Sequence, residues 1–236
     1  MLIYQLVNGY CYNSDTYFLY NFILYNLEKL KNPKGDILDV GSGSGILGLL
    51  VAREYENMIL SQVEIQKDFC FLSKKNAQIN QIKANMYEGS FFHIEFDKKF
   101  DMIVSNPPFY HTNSLKSENE NLKIARYNTN FTLNDFIQKA SKIIKPNGRL
   151  FFCYDVKQIN DIIATLYKYK FNLEALQFVH PFKHKDASLV LVYAKKSSNS
   201  LVKICPPAIV FDGGDYSVET FHIYQKASTH SIKCEL

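Results

Sequence analysis

The residues best suited to chemistry form the run Asn106-Pro107-Pro108-Phe109, which directly follows an apolar segment, Phe100 to Ser105. Two consecutive prolines stiffen the chain, because proline fixes its own φ and restricts the residue before it. The Asn106 side-chain oxygen and the Pro107 carbonyl oxygen are neutral acceptors for the two N–H groups of a planar amine or amide. Binding both hydrogens favours the pyramidal, nucleophilic form of the nitrogen through fixed dipoles and positioning. The structural alternative is a rigid turn at a strand end.

The residues that follow this run are candidates for holding the substrate. Phe109 is expected to stack on the ring that carries the reactive nitrogen, and Tyr110 is assigned to the same site. Arg126 is a candidate phosphate ligand, although it could equally pair with acidic residues of its own polar stretch. Lys183 belongs to the basic cluster 183–185, for which a solvated hairpin is the competing interpretation.

A glycine-rich turn lies earlier in the chain, where Leu38-Asp39-Val40 leads into Gly41, Gly43 and Gly45. Glycines there permit positive φ and let a ligand approach the backbone closely. Glu64 follows Gly45 by 19 residues, at the end of the next apolar segment. In nucleotide-binding α/β folds a carboxylate at that place binds ribose hydroxyls. The pattern is not the dinucleotide fingerprint, because Ile46 stands where that fingerprint has its last glycine.

The hydrophobic pattern alternates between short strands and amphipathic helices, which predicts an open, mainly parallel sheet with helices on both faces. Ser14 or Asp15 is expected to cap the first helix. Thr132, with Asp135 three residues later, resembles a capping box. The segments 173–179 and 189–195 have no helix between them, so they are predicted to pair as an antiparallel hairpin. The tail from Ser197 onward gives a weak strand-helix signal.

The composition is that of a compact globular chain. The 236 residues are 47% hydrophobic and 21% charged, with a net charge of +4. This charge is compatible with a nucleic-acid partner without requiring one. The five cysteines and six histidines show no metal-ligand spacing, so no metal is expected. No signal peptide or membrane-length apolar run is recognised, so a cytoplasmic protein without a membrane partner is expected.

The glycine-rich turn with Asp39 before it resembles motif I of the class I methyltransferases, whose cofactor is S-adenosylmethionine. The chain as a whole resembles the bacterial tRNA1(Val) adenine-N6-methyltransferases, which modify the adenine 3′ of the anticodon. Six segments match in order: 8–15, the glycine-rich turn, 106–109, 125–127, 180–192 and 206–224. The resemblance implies a Rossmann-like fold with a mainly parallel seven-stranded sheet and an antiparallel C-terminal hairpin. It also implies tRNA as the partner.

The same resemblance implies roles for individual residues. Asn106 to Phe109 would be catalytic, with Phe109, Tyr110, Arg126 and Lys183 binding the substrate. The expected cofactor-binding residues are Asp15, Asp39, Gly41, Gly43, Gly45, Glu64, Ser90, Phe91 and Asn106. A single domain is expected over 1–236, with a helical, cofactor-covering segment at 1–34, a catalytic core at 35–196 and an extension at 197–236.

Two positions depart from the family pattern. Cys11 stands where arginine is usual, which removes a contact to a phosphate or carboxylate. Ser90 stands where an aspartate often contacts the adenine of the cofactor. Its hydroxyl can still bond that amine, and Phe91 can pack on the ring.

Three other functions remain open at the level of the sequence. A protein-glutamine N5-methyltransferase uses a similar Asn-Pro-Pro-Tyr run but carries a helical domain before its glycine-rich turn. Guanine-N2 rRNA methyltransferases are longer and often duplicated. A non-catalytic module that binds the cofactor or RNA is the third, and the intact run from Asn106 to Phe109 argues against it.

Overall fold

The computed structural model describes residues 1–9, 11–28, 30, 32–108 and 131–236. The helices in these ranges are α1 (Ser14–Leu27), α2 (Ile46–Glu54), α3 (Lys67–Ile79), α4 (Leu133–Ile143), α5 (Ile159–Lys168) and α6 (Val218–Ala227). The strands are β1 (Leu2–Leu6), β2 (Gly35–Val40), β3 (Met58–Glu64), β4 (Ala84–Glu88), β5 (Phe100–Ser105), β6 (Ile144–Asp155), β7 (Phe171–Phe182), β8 (Leu189–Lys196), β9 (Lys203–Ile204), β10 (Ala208–Asp212), β11 (Asp215–Tyr216) and β12 (His230–Cys234).

The central sheet contains the predicted seven strands, in the order β7-β8-β6-β5-β2-β3-β4. β8 runs antiparallel to both of its neighbours, and the other pairs in this set are parallel. The predicted C-terminal hairpin is therefore confirmed as β7 and β8. The sheet is wider than predicted, because β9, β10 and β11 extend its β7 edge.

The sheet is covered on both faces, as an all-parallel core requires. Alternate residues of β2 show this: Ile37 packs with α1 and α2, whereas Leu38 packs with α4 and α5. The middle of each central strand is consequently apolar, Ile37 and Leu38 in β2 and 102–104 in β5. This burial makes the middle of the sheet rigid, and every polar residue at a strand end is positioned by it.

Of the two predicted helix N-caps, the one at α1 is wrong and the one at α4 is confirmed. The N-cap of α1 is Asn13, whose side chain accepts from the Asp15 backbone N–H, so the expected cap at Ser14 or Asp15 is wrong. The helix pattern does not distinguish these three neighbouring polar residues, since any of them can cap. At α4 the Thr132 side chain accepts from the Asp135 backbone N–H, as the capping box predicts.

The two ends of the chain pair with each other, which the sequence pattern does not predict. β1 and β12 form a separate two-stranded parallel sheet, with Leu2 opposite His230 and Leu6 opposite Cys234. The extension is fastened to the core a second time at the end of α6. There the Arg53 guanidinium of α2 donates to the carbonyl oxygens of Lys226 and Ala227. A cation at a helix C-terminus satisfies carbonyls that have no partner within the helix.

All the parallel strands end at one edge of the sheet, which we call the carboxyl edge. The glycine-rich turn, Glu64, Ser90 and Asn106 follow the ends of β2, β3, β4 and β5, so the topology brings them together. None of the helices within the described residues is long and apolar enough to span a membrane.

Two asparagines of α3 hold β1 in place. Asn76, which is fully buried, accepts from the Tyr4 backbone N–H and donates to the carbonyl oxygens of Tyr4 and Ser44. Asn80, one turn later and partly exposed, makes the corresponding pair of bonds with Leu2. Asn76 therefore joins β1, α3 and the glycine-rich turn.

Replacing Asn76 by alanine should lower the free energy of unfolding by roughly 2 kcal/mol or more, because buried backbone groups lose their partners. Asn80→Ala is the matched control, and we expect a loss below about 1 kcal/mol because water can replace the exposed bonds. Urea unfolding of both variants measures the difference. Equal losses would show that the burial of Asn76 does not matter.

Candidate active site

A cleft at the carboxyl edge contains most of the residues assigned from the sequence. It holds about 1140 Å³ of empty space, part of it open to solvent. The predicted residues that line it are Asp15, Asp39, Gly41, Gly43, Glu64, Ser90, Phe91, Asn106, Pro107 and Pro108. Its described lining includes no lysine, arginine or histidine.

The glycine-rich turn presents bare backbone to this cleft. Gly41 and Gly43 have φ angles of 67° and 53°, in the left-handed region that favours glycine. Nothing lies within 4 Å of the place where a Cβ would stand on either residue. Ser42, between them, has a buried hydroxyl with no hydrogen-bond partner among the described residues. Open space beside strained backbone, with a hydroxyl lacking a partner, is a suitable cradle for a ligand.

Gly45 is glycine for a different reason. Its φ is 87°, and a Cβ there would stand 2.6 Å from Ser73 Oγ and 2.7 Å from Gln62 Nε2. The space is already taken by a hydrogen-bonded pair, in which Ser73 Oγ donates to Gln62 Oε1 and Gln62 Nε2 donates to the Gly45 carbonyl oxygen. Gly45 therefore packs against the network that holds the turn, and it is absent from the lining of the cleft.

Glu64 is fixed by backbone N–H groups. Its Oε1 accepts from Ile65 and Gln66 at 2.8 and 2.9 Å, and its Oε2 accepts from Gly43 at 3.0 Å. A carboxylate offers about four acceptor positions, so Oε2 retains one for a further donor. Burial raises the pKa of this carboxyl, while the three N–H bonds oppose the rise.

Asp39 is the most deeply buried carboxyl of the cleft, with 1% of its surface exposed. Its Oδ2 accepts from the Gly48 backbone N–H at 2.9 Å, in the first turn of α2. Removal from water raises its pKa to about 7, and the negative charge of Glu64 adds to the rise. A ligand cation placed between these two carboxyl groups would favour their ionised forms.

The Asn106 amide is held at both ends. Its Nδ2 donates to Thr16 Oγ1 at 3.1 Å, and its Oδ1 accepts from Cys153 Sγ at 2.9 Å. Both partners are buried. Burial raises the pKa of the Cys153 thiol well above its usual value, so it remains a donor at neutral pH. A carbonyl oxygen has two acceptor positions, and the second on Oδ1 is available to a substrate N–H.

The remaining cofactor candidates lie on either side of Asn106. Asp15, in the first turn of α1, accepts from Asn13 Nδ2 at 2.9 Å, and burial raises the pKa of its carboxyl. Ser90 and Phe91 line the cleft after β4. The Phe91 ring is packed against Phe92 and Phe136.

Among the predicted substrate residues, the structure describes only Lys183, which does not line this cleft. Phe109, Tyr110 and Arg126 lie outside the described residues. Lys183 is exposed on the turn between β7 and β8. That turn is at the carboxyl edge, three strand spacings or about 14 Å along the sheet from β5.

Sequence reasoning missed three residues that shape the site. Gln62 carried a usable signal, because it is a polar residue inside a strand that is otherwise buried. Thr16 and Cys153 carried none, since a threonine in a helix and a cysteine in a buried strand have ordinary packing roles. Cys11, the other departure from the family pattern, is contacted by Lys233 Nζ from β12, which brings a cation to that position.

Comparison with known proteins agrees with this geometry. Residues 21–169 match the family of the methyltransferase small domain. The chain belongs to this family. It is an S-adenosylmethionine-dependent methyltransferase.

This methyltransferase is similar to the following two relatives and to one solved structure. It is 27% identical over 158 residues to a tRNA1(Val) (adenine(37)-N6)-methyltransferase of Pedobacter heparinus, covering 66% of this chain and 67% of that protein. It is 28% identical to a release factor glutamine methyltransferase of Fusobacterium nucleatum, covering 79% of this chain but only 54% of that protein. The structure of a predicted O-methyltransferase from Agrobacterium tumefaciens superposes with a TM-score of 0.68 at 18% identity, covering 92% and 99% of the two chains. That structural likeness shows the fold.

The methyltransferase offers no candidate metal site in the part of the chain that the structure describes, where no group of three or more histidine, cysteine, aspartate or glutamate side chains lies together.

The raised pKa of Asp39 predicts how stability depends on pH. The unfolded chain loses this proton near the ordinary pKa of 3.8, whereas the folded protein keeps it up to about 7. The free energy of unfolding therefore falls through this group as pH rises from about 4 to 7, by at most about 1.4 kcal/mol per pH unit. Asp39→Asn removes this contribution.

The difference in unfolding free energy, variant minus wild type, should therefore increase with pH up to about 7 and then stay constant. Urea unfolding at pH 5 and pH 8 measures it. Other titrating groups are common to both proteins and largely cancel. A difference that does not change with pH would mean that the Asp39 carboxyl titrates normally in the fold.

Proposed function

We propose that this methyltransferase modifies the N6 nitrogen of an adenine in tRNA, most specifically the adenine 3′ of the anticodon in tRNA1(Val). The observation that carries the chemistry is the Asn106 amide at the end of β5, held by two buried partners and lining the cleft. The Pedobacter relative supports the substrate, together with the resemblance over most of the chain.

The residues of the cleft fit S-adenosylmethionine. This cofactor supplies an electrophilic methyl group from a sulfonium centre. Three carboxyl groups, those of Asp15, Asp39 and Glu64, line the cleft without a lysine, arginine or histidine among the described lining residues, which suits a cation and not a pyrophosphate. Gly41 and Gly43 leave room for close approach. The remaining acceptor position of Glu64 Oε2 is assigned to a ribose hydroxyl.

The catalytic role of Asn106 follows from its orientation. Its Oδ1 and the Pro107 carbonyl oxygen accept the two hydrogens of the target amine and turn its lone pair out of conjugation with the ring. Thr16 and Cys153 keep the amide from rotating, so the acceptor is in place before the substrate arrives. The nitrogen releases its extra proton to water after it has been methylated, so no strong base is required.

We propose the division of labour expected from the sequence. Residues 1–34 cover the cofactor, residues 35–196 carry the catalytic core, and residues 197–236 form a C-terminal extension. Phe109 and Tyr110 would then complete the substrate site beside Asn106, with Arg126 and Lys183 on phosphates.

Glutamine N5-methylation of a release factor is the second candidate. The Fusobacterium relative supports it, and a glutamine side chain is also a planar amide that two acceptors would activate. The two functions separate in one assay, in which purified protein and labelled cofactor are offered bulk tRNA or a release factor. Nucleoside mass spectrometry that finds N6-methyladenosine in the tRNA supports the proposal. Label in the release factor alone would contradict it.

Asn106→Ala should reduce kcat on tRNA on the order of 10²-fold while the Kd of the cofactor changes little, because the lost acceptor acts mainly in the transition state. Cys153→Val and Thr16→Val should lower kcat by a smaller factor than Asn106→Ala does. Cys153→Ser and Thr16→Ser, which keep a group that can hydrogen-bond to Asn106, should keep kcat near the wild-type value. Asn85→Ala, an exposed asparagine on β4, is the matched control. Wild-type turnover by Asn106→Ala would refute the mechanism.

Glu64→Ala should weaken cofactor binding by about 2 kcal/mol, since it removes a charged acceptor and releases the N–H groups of the turn. Glu88→Ala is the matched control, because Glu88 lies beside Glu64 on β4 but is exposed and absent from the cleft lining. Isothermal titration calorimetry with the cofactor measures both variants. Unchanged affinity in Glu64→Ala would remove Glu64 from the cofactor site.

A further inference from the structure

A row of aromatic rings leads from the cleft to the edge strand β11 and from there across β10 to the turn after β7. We call it the aromatic row. Its members, in order, are Tyr12, Tyr17, Tyr224, Tyr216, Phe211, Phe182 and His184. Successive ring centroids are 5.4, 4.6, 5.2, 5.2, 5.3 and 5.7 Å apart.

The inner end of the row belongs to the active site. Tyr12 lines the same cleft as Asp15 and Asn106. Tyr17 is buried and joins Tyr12 to Tyr224, with both contacts edge-on. The row is therefore continuous with the place where the reaction is proposed to occur.

The outer rings have no part in the core. Phe182, Phe211 and Tyr216 stand opposite one another on β7, β10 and β11. They belong to none of the hydrophobic clusters formed by the described residues. Tyr216 is 51% exposed. Cross-strand ring pairs do stabilise a sheet edge, but the half-exposed ring of Tyr216 is also available to a ligand, whereas Phe182 and Phe211 are less exposed.

The position of the outer rings in the chain points to substrate selection. The family match ends at residue 169, and relatives with that core include both a tRNA and a release factor methyltransferase. Because the shared core serves different substrates, selection must come from what is added to it. Phe211 and Tyr216 lie in the added part, the extension from residue 197, and Phe182 stands opposite Phe211 at the end of β7 in the core.

The chemistry of the row fits unpaired nucleotides. Bases stack on aromatic side chains irrespective of sequence. The outer end carries exposed Lys183, His184 and Lys185, which can meet phosphates. Three exposed aspartates lie on the β7–β8 and β10–β11 turns and outweigh the two lysines, so these turns carry no net positive charge; they are Asp186, Asp212 and Asp215. Affinity at this surface must then come from stacking more than from ion pairing.

We propose that the outer rings of the aromatic row, above all Tyr216, bind unpaired RNA nucleotides that neighbour the target base. This rests on the proposed action on RNA and adds where the RNA is held. The RNA chain would pass from the cleft along Tyr216, Phe211 and Phe182 towards the basic turn.

The test compares three variants of the full chain. Tyr216→Leu removes the ring but keeps apolar cover, and Tyr216→Phe keeps the ring. Phe221→Leu is the matched control: Phe221 is 54% exposed on α6, and its ring neighbour among the described residues is His222, outside the row. Fluorescence anisotropy with bulk tRNA gives the Kd, steady-state kinetics give KM and kcat, and calorimetry gives the Kd of the cofactor.

Tyr216→Leu should raise the Kd and KM for tRNA roughly tenfold. Its kcat and cofactor affinity should stay near wild type, and Tyr216→Phe and Phe221→Leu should behave as wild type. If Tyr216→Leu melts early, Phe182→Leu replaces it in the same comparison. If the wild-type enzyme methylates tRNA and both Tyr216→Leu and Phe182→Leu keep the wild-type KM, this inference is wrong and the proposed function is unaffected. A wild-type enzyme that methylates a release factor and not tRNA overturns both.

Discussion

The cleft depends on a backbone turn that must stay open to a ligand while its own carbonyl groups are buried. Helix α2 reaches only the last residue of the turn, where the Leu49 backbone N–H donates to the Gly45 carbonyl oxygen. Buried side-chain amides bind the turn as well, since Gln62 donates to the Gly45 carbonyl oxygen and Asn76 to that of Ser44. The carboxyl groups of Asp39 and Glu64 bind N–H groups on the other side. Satisfying these buried polar groups of the turn leaves its glycines free to face the cleft.

The same carboxyl groups set the electrostatics of the site. Burial raises their pKa values, and the charge of Glu64 adds to the rise at Asp39, so the protein holds negative charge in the cleft at a cost in stability. A cofactor that carries a positive charge offsets that cost on binding, and an anionic one would increase it. The two carboxyl groups that bind N–H groups at the turn therefore also favour a positively charged ligand. On the reacting side the groups are neutral: an amide, a thiol and a hydroxyl around Asn106. Neutral dipoles suit a reaction that dissipates charge.

The two ends of the chain add a small sheet, β1 with β12, and the helices α1 and α6 to the core. β1 and β12 pair across the outside of α3, and Asn76 connects that small sheet to the glycine-rich turn. α1 brings Asp15 and Thr16 to the cleft, and α6 brings Tyr224 to Tyr17. The extension therefore reaches the active site although it is distant along the chain. The chain is similar both to a tRNA methyltransferase and to a release factor methyltransferase, and a fold of this kind can carry different functions.

The amino-acid pattern was enough to predict the alternating fold, the strand ends and the residue types at those ends. Hydrophobic periodicity reports burial, and glycine and proline report special backbone, so Gly41, Gly43 and Asn106 were all visible. The partners of these residues could be known only from the folded chain. Cys153 meets Asn106, and β12 meets β1, because strands far apart in the chain become neighbours in the fold. Local pattern carries no information on such contacts. The aromatic row is of the same kind, since its rings come from separate segments that only folding aligns.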